Sequence, residues 1–337
     1  MSLIKSFSKR LRDRILTPRG IRHITGPEIV HLAPEEVVVL CLCRDEEYLI
    51  SEFLTHYRNL GVKHFVFLDN GSVDRTREII SEQEDCTLLI SNLPYRVYKT
   101  HMKRYLIRRF SRDRWSLLAD ADEFFEYPYS DTVPLTSFIS YLDRHGYTAV
   151  YTPLLDMFSS RPVGEWEVME KLPFSREDYP FYDLPDVLDK PSELDTHRRC
   201  QVTNKAIRLF AGGVRNRVFG TKNTFTKHAL TRCCGGKVLM HTDHAVRGAV
   251  IADTSGVLFH YKLSGSFMRK TAKYAEEGNY WNDSAWLKLY LKRIREETGL
   301  SLMGPYTKKL VSADDLIELG FIFVSRQYLD ELISHHL

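Results

Sequence analysis

The chain contains no run approaching the ~20 apolar residues that a membrane-spanning helix needs, which excludes that architecture and leaves a soluble or peripheral protein as the expectation. Charge of one sign is also missing. Lys and Arg number 47 against 44 Asp and Glu, a formal net charge of +3. That near-balance argues against a nucleic-acid-coating protein and against a disordered acidic one, so any charged partner must be met by a local patch. Cysteine is scarce, at six in 337 residues, and no apolar leader-like segment precedes them. Reduced thiols in a cytoplasmic setting are therefore expected, rather than a disulfide framework. Cys233 and Cys234 stand near His241 and His244, but adjacent cysteines lack the usual spacer of zinc-ligand pairs, so zinc is the weaker reading there. Internal repeats and low-complexity tracts are absent. So is a glycine-rich loop after the first strand, where Arg44-Asp45-Glu46-Glu47 stands instead, and this counts against a triphosphate cradle.

What is present begins with a basic amphipathic segment. Lys5, Lys9, Arg10, Arg12, Arg14, Arg19 and Arg22 face a single acid, Asp13, while Leu3, Ile4, Phe7, Leu11 and Ile15 recur at roughly helical spacing. Residues 1–24 thus suit either peripheral contact with the inner face of an anionic membrane or a solvated helix packed on the domain. Pro18, Gly20, Gly26 and Pro27 read as a linker, giving an N-terminal extension over residues 1–35.

From residue 36 the pattern alternates. Residues 36–43 form a continuous apolar run in which Cys41 and Cys43 are small strand residues, as in a strand buried on both faces. Leu49, Ile50, Phe53, Leu54 and Tyr57 then lie on one helical face over residues 45–60, which stops at Gly61. Residues 64–68 repeat the strand, a helix is predicted over about 74–84, and a third strand at 87–90. A basic helix over about 99–110 precedes a buried strand at 115–119. Strands alternating with helices predict an α/β fold with a doubly wound, mostly parallel sheet. Such sheets bind ligands beyond the carboxyl ends of their strands, where Arg44, Asp45, Asp69, Asp120 and Asp122 all fall.

Asp120-Ala121-Asp122 carries the chemistry. Two carboxylates one residue apart, just past a buried strand, are costly unless a positive group lies beside them. A Mn²⁺ or Mg²⁺ ion bridging to a diphosphate would serve, because such cations are held by one or two carboxylates with phosphate oxygens and water completing the shell.

Residues 39–47, Asp69-Asn70-Gly71-Ser72-Val73-Asp74, and the stretch from Trp115 through Asp120-Ala121-Asp122-Glu123-Phe124, in this order, resemble the GT-A-type glycosyltransferases of family 2 and the related family 92. The likeness covers roughly residues 36–160. It implies a GT-A-like domain over residues 36–264, followed by a C-terminal helical region over 265–337. It also implies that Asp69 hydrogen-bonds the nucleotide base, that Arg44, Glu46 and Ser72 lie near base, ribose or phosphate, that Asp120 faces ribose and metal, and that Asp122 binds the metal. Leu258-Phe259-His260-Tyr261-Lys262 resembles the late histidine block of these enzymes, with His260 completing the metal shell. Lys262 and the basic helix, Arg104 included, are candidates to neutralise the diphosphate.

The expected activity is transfer from a nucleotide-sugar, by family habit a UDP-sugar, to a glycan or lipid-linked acceptor with inversion, and no nucleic-acid partner is expected. Transfer needs a base for the acceptor hydroxyl. The usual acidic base motif of family 2 is missing, leaving Asp243 and Asp156 as candidates. Residues 161–199, rich in proline and aromatics, are a candidate acceptor loop. Tyr280, Trp281 and Trp286 fit core packing better than a sugar platform. A nucleotidyltransferase of related fold, and a non-catalytic membrane- or glycan-binding module, are the rival readings.

Overall fold

Alternating side chains along the second strand decide the layers of this protein. In the computed structural model, which describes residues 11–188, 200–221, 225–233, 239–242, 245–278, 284–297 and 299–336, all six residues of β2 (Val38–Cys43) are buried. Val39, Cys41 and Cys43 join one core while Val38, Leu40 and Leu42 join another. Period-two alternation with both faces apolar demands cover on both sides. The helix α1 (Ile50–Asn59) supplies Ile50, Phe53, Leu54 and Tyr57 to the first core. On the opposite face α3 (Tyr95–Phe110) supplies Met102, Leu106, Ile107 and Phe110. Between them in sequence runs the short α2 (Thr76–Ser81).

The main sheet has nine strands in the order β1-β4-β3-β2-β5-β13-β7-β16-β11. Its members are β1 (Ile21–Thr25), β2, β3 (His64–Asp69), β4 (Cys86–Ser91), β5 (Trp115–Leu118), β7 (Ala149–Tyr151), β11 (Gln201–Val202), β13 (Leu230–Arg232) and β16 (Val250–Ser255). β4, β3, β2 and β5 are parallel neighbours. β13 runs antiparallel between β5 and β7, and β1 closes the far edge antiparallel to β4. The sheet is thus mostly parallel and doubly wound.

Three of its strands continue into a second, five-stranded sheet made of β6 (Glu123–Glu126), β8 (Leu154–Phe158), β9 (Phe181–Asp183), β17 (Val257–Leu263) and β18 (Thr307–Lys309). β5 passes into β6 through Asp120 to Asp122, β7 into β8, and β16 into β17. The last junction needs glycine: a Cβ at Gly256 would stand 2.7 Å from the Glu126 carbonyl oxygen and the Phe125 ring. Two ribbons, β10 (Asp186–Leu188) with β12 (Leu209–Ala211) and β14 (Leu239–Thr242) with β15 (Ala245–Arg247), complete the β-structure. The remaining helices used below are α4 (Leu135–Arg144), α5 (Gly213–Phe219), α6 (Phe267–Glu277), α7 (Ala285–Glu296) and α8 (Arg326–His336).

Three expectations need correction. The segment read as a linker contains β1, because an edge strand between Gly20 and Gly26 can pair with β4. The helix expected from residue 45 starts at Ile50. Asp45 is in the left-handed region, with φ of 56°, so the preceding residues turn instead of entering the helix. Within its described residues, 161–188, the proline-rich stretch forms short helical turns at Val163–Glu165, Trp166–Met169 and Arg176–Asp178 and the strands β9 and β10. The C-terminal region is helical as expected, with β18 inserted between α7 and α8 to pair with β9. No described helix is long and apolar enough to cross a membrane. Cys41, Cys43 and Cys86 are buried free thiols, and burial raises the Cys41 thiol above its ordinary value.

Candidate active site

The β5–β6 junction lies between buried cations. Lys103, on α3 and only 1% exposed, donates to Asp120 Oδ1 at 2.6 Å. The Asp120 backbone N–H donates to Glu123 Oε2 at 2.8 Å, and Glu123 is in turn ion-paired with Lys227, both of them buried. Enclosure by protein pushes the Asp120 carboxyl up, but Lys103, Lys227 and Lys99 more than reverse this and hold it well below the usual carboxylate range. Asp120 is therefore an anion with one oxygen engaged by a lysine. The chain supplies this positive charge without a metal.

Asp122 has different company. Its Oδ2 stands 3.4 Å from His260 Nε2. β17 lies between β6 and β8, with His260 in register with Glu123 on one side and Asp156 on the other. That register puts the His260 Nδ1 2.6 Å from Asp156 Oδ1, while the other Asp156 oxygen accepts from Arg215 Nε, also at 2.6 Å. The chain Arg215–Asp156–His260–Asp122 is continuous, and its first three members are buried. Burial alone would lower the His260 pKa, but Asp122 and Asp156 raise it to about 9. Asp122 is held low, against its burial, chiefly by His260.

This arrangement fits a divalent cation better at Asp122 than at Asp120. With its pKa raised, His260 holds a proton on Nε2 toward Asp122; a cation that displaced this proton would meet an imidazole whose Nδ1–H is fixed by a carboxylate, the arrangement common around metal-binding histidines. No group of three or more His, Cys, Asp or Glu side chains converges on one point among the described residues. The protein therefore offers Asp122 and His260, and a diphosphate and water would supply the rest.

Asp156 requires a correction. It is 3% exposed, both oxygens are engaged, and Arg215 leads the influences that lower its pKa against burial. Such a carboxylate orients His260 and is not placed to take a proton from an acceptor. The other base candidate, Asp243, lies outside the described residues, as do Cys234, His244, Tyr280 and Trp281. Trp286 packs against the main core.

At the ends of β2 and β3 two loops are laced together. The backbone N–H groups of Asp45, Glu46 and Glu47 donate to Ser72 Oγ, Thr76 Oγ1 and Asp74 Oδ2, at 2.8, 2.7 and 3.2 Å. Val73 and Arg75 N–H groups answer to the Asp45 and Glu47 carboxylates, each at 2.9 Å. Asp69 is fully buried. Its oxygens accept from the Gly71 and Ser72 N–H groups and from Arg77 Nε at 2.6 Å. In this structure it organises its own turn and is closed off from solvent.

The loop then meets α6. Arg44 makes a two-pronged pair with Glu277, Asp45 pairs with Lys273 at 2.5 Å, and Glu46 with Lys270 at 2.5 Å. Residues 270, 273 and 277 share one helical face, so consecutive loop residues read down one stripe of α6. Burial raises the Glu46 carboxyl to about 7, against the attraction of Lys270. Two expected diphosphate cations are placed apart. Arg104 donates through Nε to the Met240 carbonyl at 3.1 Å, whereas Lys262 lies 6.0 Å from the Tyr290 ring centre and contributes to lowering Asp122.

No protein-family model matches the chain, and no curated protein matches it. Among solved structures it is similar to S. aureus TarS, at 15% identity and a TM-score of 0.29, over 37% of this chain and 22% of that one. A likeness at that level carries no argument about activity.

Sequence reasoning missed Arg215, Lys227, Arg77 and the α6 stripe. None had a signal, because each partner is at least eight residues away in sequence and most are more than fifty.

Proposed function

We propose that the protein is a metal-dependent glycosyltransferase that moves a sugar from a UDP-sugar to a glycan or lipid-linked acceptor with inversion. The observation that supports this most is the opposition of Asp122 Oδ2 and His260 Nε2 at the carboxyl end of β5, with Asp156 and Arg215 fixing the imidazole. When bound there, Mn²⁺ or Mg²⁺ would neutralise the diphosphate as it leaves. Asp122 and His260 would hold the ion. Asp120, ionised and steadied by Lys103, would accept from donor hydroxyls through the oxygen that Lys103 leaves open. The acceptor oxygen forms the new bond to the anomeric carbon as the bond to the diphosphate breaks, and the acceptor proton passes to a base, for which Asp243 is the remaining candidate.

The test is thermal unfolding with UDP, GDP or dTDP, each with Mn²⁺ or chelator. A ligand at about 100 times its dissociation constant adds roughly 2.7 kcal/mol of stability. The reading expects stabilisation by UDP with metal, lost in Asp122→Asn. Stabilisation by no nucleotide in either condition would overturn it and favour a binding module.

A further inference from the structure

Charge in this chain is segregated. Residues 1–25 carry seven Lys and Arg against one Asp, and the 16 residues of α3 carry six against no acid. Together these segments hold +12 in a chain whose total is +3, so the rest carries −9. Of the first segment, residues 11–25 are described, and the fold brings residues 12–19 beside α3. A π-type turn at Arg12–Leu16 and a short helix at Thr17–Arg19 pack on α3, with Thr17 buried, and β1 is hydrogen-bonded along the β4 edge. Gly20 sits so close to Leu93 that a Cβ would stand 2.7 Å from that side chain, and Ser91 Oγ donates to its carbonyl at 2.8 Å. The arginines of this face are thus mounted on ordered backbone.

α3 has two sides. Lys103 turns inward to Asp120. Outward, Arg96, Arg108 and Arg109 are exposed, beside exposed Arg14 and Arg19 from the N-terminal elements. Exposed Glu28 lies 4.0 Å from Arg109. Aliphatic side chains are exposed among these cations: Ile15, Leu16, Ile24, Ile29 and Val97, with Ile29 at 62%.

We infer that this face docks on an anionic lipid bilayer. Arginines meet the headgroup charge and exposed aliphatics enter the headgroup boundary, the combination by which peripheral proteins bind membranes. A nucleic acid would also attract the charge, but single strands bind through aromatic stacking platforms, and the α3 tyrosines, Tyr95, Tyr98 and Tyr105, are packed against the core. The inference goes beyond the transferase reading and stands apart from it, since docking requires neither nucleotide nor metal.

Co-sedimentation of the full chain with vesicles tests it, comparing phosphatidylcholine alone with phosphatidylcholine containing phosphatidylglycerol, at low and high salt. Binding is expected only to the anionic vesicles and should weaken as salt screens the arginines. Arg14→Glu/Arg19→Glu/Arg109→Glu should lower the affinity more than tenfold, since each arginine near such a surface contributes roughly fivefold. Ile15→Ser/Ile24→Ser should lower it at unchanged charge. Reversing exposed Lys288, Lys292 and Arg295 on α7 should leave it intact, with unfolding midpoints confirming that all variants fold. Equal binding to neutral vesicles, wild-type affinity in the triple arginine variant, or binding to a DNA or RNA oligonucleotide with none to anionic vesicles would each overturn the inference.

Discussion

The β5–β6 junction and the β2 loop both place acids at the carboxyl edge of one sheet, yet they hold them differently. At the junction the partners are sealed in: Lys103, Lys227, Glu123, Asp156 and Arg215 are all buried. At the loop, Arg44, Lys270 and Lys273 come from partly exposed positions, with side-chain exposures of 23, 15 and 27%. Breaking a buried pair strands a charge with no water to take it, whereas a solvent-reachable pair returns both ions to water. The junction is accordingly a fixed template. In the loop–α6 stripe the Arg44–Glu277 pair can be exchanged at small cost, whereas Asp45, itself buried, depends on Lys273.

Four changes would break or sharpen this contrast. Lys227→Met should be the most damaging, because it leaves Glu123 buried without its cation, and a loss of about 3–5 kcal/mol in urea unfolding is expected. A loss below about 1 kcal/mol would mean that the junction is wetter than described. Asp156→Asn should also cost stability, since it leaves Arg215 buried without its carboxylate, and in the folded protein should lower Mn²⁺ affinity roughly 10- to 100-fold by freeing the imidazole, as followed by the electron paramagnetic resonance of free Mn²⁺. Unchanged affinity would remove His260 from the metal shell.

Glu46 offers a pH test. Its folded pKa of about 7 lies above the ordinary value of 4.5, so between these the native state keeps a proton that the unfolded chain has released. Stability should fall as pH rises from about 4.5 to 7, and that slope should be reduced in Glu46→Gln. Equal slopes in the two proteins would contradict the burial of Glu46. Glu277→Gln should have the smallest effect, at most about 1 kcal/mol in the same unfolding assay, because Arg44 regains water. A loss as large as that of Lys227→Met would show that the stripe is as sealed as the junction.

How much of this could be read in the sequence follows the range of the interactions. The order strand, helix, strand to residue 118 was legible, because β2 and β3 bury every residue and α1 keeps its apolar face at helical spacing. The start of α1 was not, because Asp45 takes its left-handed backbone while its N–H and that of Glu46 are held by Ser72 and Thr76, about thirty residues on. Asp120 and Asp122 stood out as a pair of acids beyond an apolar strand. Their different surroundings did not, since Lys103 arrives from α3 and His260 from β17.

The sequence by itself determined the alternation of buried strands and amphipathic helices, the acids at the strand ends, and the basic character of residues 1–25 and 95–110, because each depends on residue type and local period. Only the tertiary structure decided that Asp156 orients a histidine, that Asp120 takes a lysine while Asp122 faces an imidazole, and that two basic segments distant in sequence share one face. The physical reason is that a pKa, an ion pair and a charged surface are set by whatever the fold brings within a few ångströms, and chain order does not encode that distance.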